Sequence, residues 1–168
     1  DRLLSTQGAD LDGNVEERGD TISVFNGPPP LIQVFDTQAA ESESVSAWLI
    51  KRIDAGLLPH EIGVFVRSDA ELNRAQTAVL RAHLPFKVLD EQVATTENHL
   101  SISVMHLAKG LEFRAVVIMA CDDEIIPSQA RIETVGDDAD LQEVYNTERH
   151  LLYVACTRAR DSLLITSV

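Results

Sequence analysis

Arg114-Ala115-Val116-Val117-Ile118-Met119-Ala120 is an arginine followed by an unbroken apolar run. A strand with one wet face alternates polar and apolar residues, whereas a strand covered on both faces need not, and such strands belong to parallel sheets clad in helices. The stretch therefore predicts a central strand of an α/β domain. On its C-terminal side an acidic segment, Asp122 to Glu143, leads to a helix expected from about Glu143 to Ala159 and a final strand, Ser162 to Thr166. On its N-terminal side stands another short apolar run, Ser101 to Met105, reached through the polar connector Asp90 to His99.

The alternation continues upstream. Pro85 precedes a short strand, Phe86 to Leu89, and Ser68-Asp69-Ala70-Glu71 is a capping-box pattern opening a helix with Leu72, Ala75 and Val79 inward. Glu61 to Val66 reads as a strand closed by Arg67. Thr37 to Ala55 reads as a helix with Val45, Trp48, Leu49 and Ile53 on one face, stopped by Gly56. Before it, Leu31 to Phe35 reads as a strand. Strands alternating with helices predict a three-layer α/β domain with a mostly parallel sheet over residues 31–168. Residues 1–30 are polar, hold one β-like run at Thr21 to Phe25 and end in three prolines, which reads as a linker or an edge extension.

With 168 residues, 45% of them hydrophobic, the chain can own a core without disulfides or a structural metal. Cys121 and Cys156 lack metal-ligand or disulfide-scaffold spacing, so free thiols in a reducing, cytoplasmic setting are expected. No apolar run reaches bilayer length, so no membrane partner is expected. The chain opens at Asp1 and its methionines are Met105 and Met119, which reads as a piece of a longer protein. Lys and Arg number 14 against 27 Asp and Glu, a net charge of −13 that taken alone argues against nucleic acid.

The local chemistry is sparse. The strand ending in Cys121-Asp122-Asp123-Glu124 resembles the magnesium-binding strand of P-loop ATPases, but no G-x-x-x-x-G-K-[ST] accompanies it. Solvated acids at a strand end are the expectation there. The five histidines show no metal-ligand spacing, and no G-x-S-x-G elbow presents a nucleophile.

Two stretches carry more. His106-Leu107-Ala108-Lys109-Gly110-Leu111-Glu112-Phe113 joins two buried strands too closely for a crossover helix; it is either a simple turn or a tight loop whose backbone approaches a ligand. In Glu148 to Arg160, Leu151, Val154 and Ala155 share a helical face that Arg158 continues, while Arg149 points elsewhere. Arg158 there is a snorkelling residue, a cation favoured at a helix C-terminus, or a finger mounted on a rigid element.

Together with Ile62-Gly63-Val64-Phe65-Val66-Arg67-Ser68, these stretches resemble the fourth, fifth (Ser103 to Phe113) and sixth (Thr147 to Ala159) motifs of superfamily 1 DNA helicases of UvrD, Rep and PcrA type. The resemblance implies the second RecA-like (P-loop NTPase-like) motor domain. It implies ATP in a cleft against a preceding N-terminal RecA-like domain, which would supply the phosphate loop and the Mg2+ ligands. Arg67 and Arg158 would reach the γ-phosphate as catalytic arginines, Glu112 would bind the ribose beside Gly110, and His106 with Lys109 would face single-stranded DNA. Alternatively, Glu112 forms a structural ion pair with Lys109. The excised domain would not hydrolyse ATP.

Two departures stand out. The family carries Thr two residues before the fifth-motif His, where this chain has Val104, and it inserts a large accessory domain where only 25 positions separate Asn73 from Asn98 here. The rival reading is a non-catalytic interaction module that binds protein through the acidic 122–143 segment.

Overall fold

The computed structural model describes residues 27–168, together with Gln7–Ala9 and Val15–Glu17. Those two short strands, β1 and β2, pair antiparallel. The β-like run expected at Thr21 to Phe25 lies outside the described residues.

The remaining elements are β3 (Leu31–Val34), α1 (Gln38–Asp54), β4 (Ile62–Val66), α2 (Leu72–Arg81), β5 (Phe86–Val88), β6 (Leu100–Val104), β7 (Phe113–Ile118), α3 (Gln129–Ile132), α4 (Asp138–Cys156) and β8 (Ala159–Ser167). Six strands form one sheet in the order β3-β8-β7-β4-β6-β5, and every pair in it is parallel.

The run that decided the fold behaves as a strand buried on both faces. Ala115, Val117 and Met119 join Val45 and Leu49 of α1 and Ala75, Ala78 and Val79 of α2. Val116 and Ile118 point the other way, to Met105, Ala108 and Ala155. Helices α1 and α2 therefore cover one face, and α4 with the 105–112 loop covers the second. Strand β4 splits likewise, with Val64 and Val66 on the first face and Phe65 on the second. Gly63 is dictated by that second face: a Cβ there would stand 2.7 Å from the Phe113 ring, which meets Phe65 edge-on at 6.0 Å between centroids.

Local signals explain the ends of α1. Thr37 caps it by accepting from Ala40 N–H at 3.1 Å, and Gly56 supplies the left-handed residue (φ +92°) beyond its last turn. Ser68 donates both its N–H and its hydroxyl to Glu71 Oε2, and the first turn there, Asp69–Glu71, is 3₁₀ before α2 begins.

The acidic segment departs from expectation. Helix α4 starts at Asp138, not near Glu143, because Asp137 accepts from Asp140 N–H at 2.9 Å and the acids of the first turn suit the positive helix end. The helix also stops at Cys156, and β8 begins at Ala159, so Arg158 stands in the turn between them rather than on the helical stripe.

Candidate functional site

Arg67 directly follows β4, and its partner comes from the middle of α4. Nε donates to Glu148 Oε2 and Nη2 to Oε1, each at 2.6 Å, a fork across both carboxylate oxygens. Arg131 of α3 donates Nη1 to the same Oε1 at 2.9 Å. The Glu148 side chain is 2% exposed and that of Arg67 14%. Burial pushes the Glu148 carboxyl up, but the hydrogen bonds from Arg67 and Arg131 outweigh it and hold the group below its ordinary value.

Arg158 is fixed by a different set of acceptors. Nε donates to Val154 O, Nη1 to Leu111 O and Nη2 to Thr157 Oγ1, all at 3.1 Å. Its own carbonyl accepts from Phe113 N–H at 2.9 Å. The sixth-motif arginine is thereby docked on the fifth-motif loop. Gly110 of that loop is left-handed (φ +85°) and exposed, with nothing near the place a Cβ would take. Glu112 is exposed and lies 3.4 Å from Arg160 Nη1, so its ion-pair partner is Arg160 and not Lys109. His106, in the 3₁₀ turn Met105–Leu107, and Lys109 are both exposed on the same loop.

The parallel sheet puts these groups at two ends. Arg67 stands at the carboxyl end of β4, whereas Glu112 and Arg158 precede β7 and β8. From Glu148 to the helix end at Cys156 the chain advances about 12 Å at the helical rise of roughly 1.5 Å per residue, and Arg158 lies beyond that end. Helix α4 thus holds one motif arginine near its middle and the other at its end, and the two guanidiniums are not in contact.

A second polar cluster occupies the carboxyl end of the sheet. Buried Glu41, in the first turn of α1, accepts from Arg74 Nε, from Thr166 Oγ1 at 2.6 Å and from Ala120 N–H at 3.2 Å. Asp122 accepts Arg74 Nη1 at 2.5 Å, Nη2 at 3.2 Å and Val168 N–H at 2.7 Å. Asp122 is therefore not the solvated acid expected from its place after an apolar strand: a buried guanidinium needs it. Asp123 and Glu124 are exposed. An open cleft of about 310 Å³ lies beside Arg74, lined by Gln38, Glu71, Asn73, Thr77 and Ile125, and touches none of the motif residues singled out above.

Among the described residues, no group of three or more His, Cys, Asp or Glu side chains could hold a metal ion, and no helix is long and apolar enough to cross a membrane. Burial raises the thiols of Cys121 to about 12 and Cys156 to about 11, so both are unreactive at neutral pH.

The sequence reading missed Glu148, Arg131, Glu41 and Arg74. A signal existed for the two acids: Val144, Glu148, Leu151 and Ala155 follow helical spacing, as do Glu41, Val45 and Leu49. A carboxylate inside a buried stripe announces a paired charge.

Comparison with known proteins adds a family. The family model described as "UvrD-like helicase C-terminal domain" matches residues 89–168. Relatives include the ATP-dependent DNA helicase PcrA of Staphylococcus aureus strain MRSA252, 43% identical over 79 residues, which are 47% of this chain and 10% of that protein. Another is the putative ATP-dependent DNA helicase YjcD of Bacillus subtilis strain 168, 38% identical over 87 residues, 51% of this chain and 11% of that one. The chain matches only about a tenth of the length of these relatives. A solved structure, the C-terminal domain of a possible DNA helicase from Lactobacillus plantarum WCFS1, shares the fold with a TM-score of 0.59 at 20% identity, over 87% of this chain and 80% of that one. Residues 89–168, which hold the fifth and sixth motifs, are thus similar to the UvrD-like helicase C-terminal domains.

Proposed function

We propose that the chain is the second motor domain of an ATP-dependent DNA helicase, working from the cytoplasm against an N-terminal RecA-like domain. That partner domain would bring the phosphate loop and the magnesium ligands. The observation that carries the reading is the way α4 joins all three motifs: Glu148 grips the fourth-motif arginine, and Arg158, just past the helix end, grips the fifth-motif loop. A change at one motif is thus felt at the others through a rigid element.

Within that reading Arg67 and Arg158, held at opposite ends of the sheet in this chain, both turn toward the γ-phosphate, where two guanidiniums stabilise the charge that builds on its oxygens in the transition state. Each must exchange its present acceptors for phosphate oxygens. Glu112 accepts a hydrogen bond from the ribose, and the exposed left-handed backbone at Gly110 leaves room for the sugar. His106 and Lys109 are exposed on the loop and contact the single strand. With a net charge of −13, this domain neutralises few phosphates, and most of the DNA affinity falls to the partner domain. The rival interaction module loses part of its surface, because Asp122 is committed to Arg74 and Asp137 to capping α4.

The test has two arms. The chain by itself, assayed with ATP, magnesium and single-stranded DNA, is expected to show no turnover; sustained DNA-stimulated hydrolysis would sink the division between two domains. In the intact motor, Arg158→Ala is expected to lower kcat by about 10³ to 10⁵ with a much smaller change in KM. A near-normal kcat would leave Arg158 as the structural clamp on Leu111 alone.

A further inference from the structure

Two guanidiniums share one oxygen at Glu148: Arg67 Nη2 at 2.6 Å and Arg131 Nη1 at 2.9 Å both donate to Oε1. The fork from Arg67 already engages both oxygens of the carboxylate. A second cation is therefore not needed to satisfy it. Nor does it add much stability, since the Arg131 side chain is 42% exposed and a partly solvated pair contributes little.

Its value lies in what happens when Arg67 moves. Glu148 is 2% exposed, so an Arg67 that turned toward a phosphate would strand a buried carboxylate if no other cation touched it. Arg131 removes that obstacle, because it already sits on Oε1 and approaches from α3, a separate element. Direct hydrogen bonds join two cations to one anion here, while Glu71 adds a longer-range pull on Arg67. Among the described residues Arg67 Nη1 makes no hydrogen bond, which leaves it as the first donor free to meet an incoming anion.

We infer that Arg131 is a positioning residue for Arg67: it keeps Glu148 neutralised so that Arg67 can pass between the carboxylate and the phosphate oxygens of a bound nucleotide. The inference rests on the proposed role of Arg67. Without Arg131, leaving Glu148 would uncover a buried charge, and Arg67 would stay withdrawn. With the carboxylate also replaced by an amide, nothing strong would hold Arg67 back.

This gives an expectation of unusual sign for the intact motor, assayed with ATP and an unstructured single-stranded DNA. Arg131→Gln should lower kcat about tenfold, with KM for ATP within roughly twofold of the parent, because the second guanidinium serves the step and not nucleotide capture. Arg131→Lys should recover much of the rate, since it restores the charge at Oε1. The double variant Arg131→Gln with Glu148→Gln should turn over faster than Arg131→Gln alone, which a merely structural role would not produce. Thermal unfolding of this chain carrying each change verifies that the variants fold.

The outcomes separate cleanly. Arg131→Gln at the parent rate, or a double variant no faster than that single one, overturns the exchange while leaving Arg67 in its role. An Arg131→Gln variant that fails to fold leaves the decision to Arg131→Lys: a folded Lys variant slowed tenfold or more also overturns it. An Arg67→Ala variant with undiminished kcat removes the role of Arg67 itself, and the exchange with it.

Discussion

Two arginine–carboxylate clusters stand at the carboxyl end of the same sheet with opposite charge counts. At Arg74 one guanidinium meets two acids, Glu41 and Asp122, and each of its three nitrogens donates to one of them. At Glu148 one carboxylate meets two guanidiniums, Arg67 and Arg131. The first cluster is closed, with Arg74 only 7% exposed and Glu41 also tied to β8 and to Ala120, two residues past β7. The second is open on its cationic side. A buried charge that is fully surrounded can only hold elements together, whereas one with a spare cation can let a partner go. Under the proposed role of Arg67, the first cluster is structural and the second is the one that acts.

The sharpest way to break the contrast is to remove the two arginines in turn. In the intact motor Arg67→Ala is expected to lower kcat by about 10³ to 10⁵, while Arg131 still neutralises Glu148 and the fold survives. Equal loss of rate from a folded Arg74→Lys variant would erase the distinction between the clusters.

Stability should respond in the reverse order. Glu41→Ala leaves the Arg74 guanidinium short of one acid and Thr166 Oγ1 without its acceptor, a loss of about 3 to 5 kcal/mol as for other broken buried pairs. Urea unfolding of the chain measures it. Arg131→Ala, made in the open cluster, should cost no more than about 1 kcal/mol by the same method.

The pH dependence tests whether Glu148 is charged in its cluster. Its folded pKa is lowered, so its contribution is fully present above the ordinary glutamate value of 4.5 and declines as pH falls through the lower folded value. The gap in urea midpoint between the parent chain and Glu148→Gln should therefore be constant near neutrality and close below that pH. A gap that persists unchanged into acid would mean that shape, not charge, holds Arg67.

What the sequence displayed, and what it hid, follows the range of the interactions. The Ala115 to Ala120 run, the Thr37 cap, Gly56 and the Ser68 to Glu71 box are local signals, and each led to the right element because backbone hydrogen bonds and side-chain alternation act within a few residues. The start of α4 was misplaced because Asp137, Asp138 and Asp140 look the same in an acidic loop and in a helix N-terminus. Neither cluster could be read off, since Arg67 and Glu148 are 81 positions apart and Glu41 and Thr166 are 125 apart. The motifs named Arg67 and Arg158 and the periodicity named the helix, but neither showed that Glu148 ties that helix to Arg67. The partner of Arg67 was visible only as an acid at an apolar position of a stripe.

Glu112 supplies the smallest expected change in stability, and it sets a third kind of charge pair beside the two clusters. Its carboxylate is 65% exposed and faces an Arg160 side chain that is 56% exposed, at 3.4 Å. Water screens such a pair, and holding two long side chains together costs rotamer entropy, so Glu112→Ala should leave urea stability within about 1 kcal/mol of the parent. The carboxylate is then free to do something else at little structural cost. If it accepts the ribose hydroxyl, Glu112→Ala raises KM for ATP more than for 2′- or 3′-deoxy ATP, because the deoxy nucleotide at the contacted position has already lost that hydrogen bond. Steady-state kinetics of the intact motor with the three nucleotides decide it. Equal penalties for all three would return Glu112 to its partnership with Arg160, and the fifth-motif loop would then meet the nucleotide through the Gly110 backbone alone.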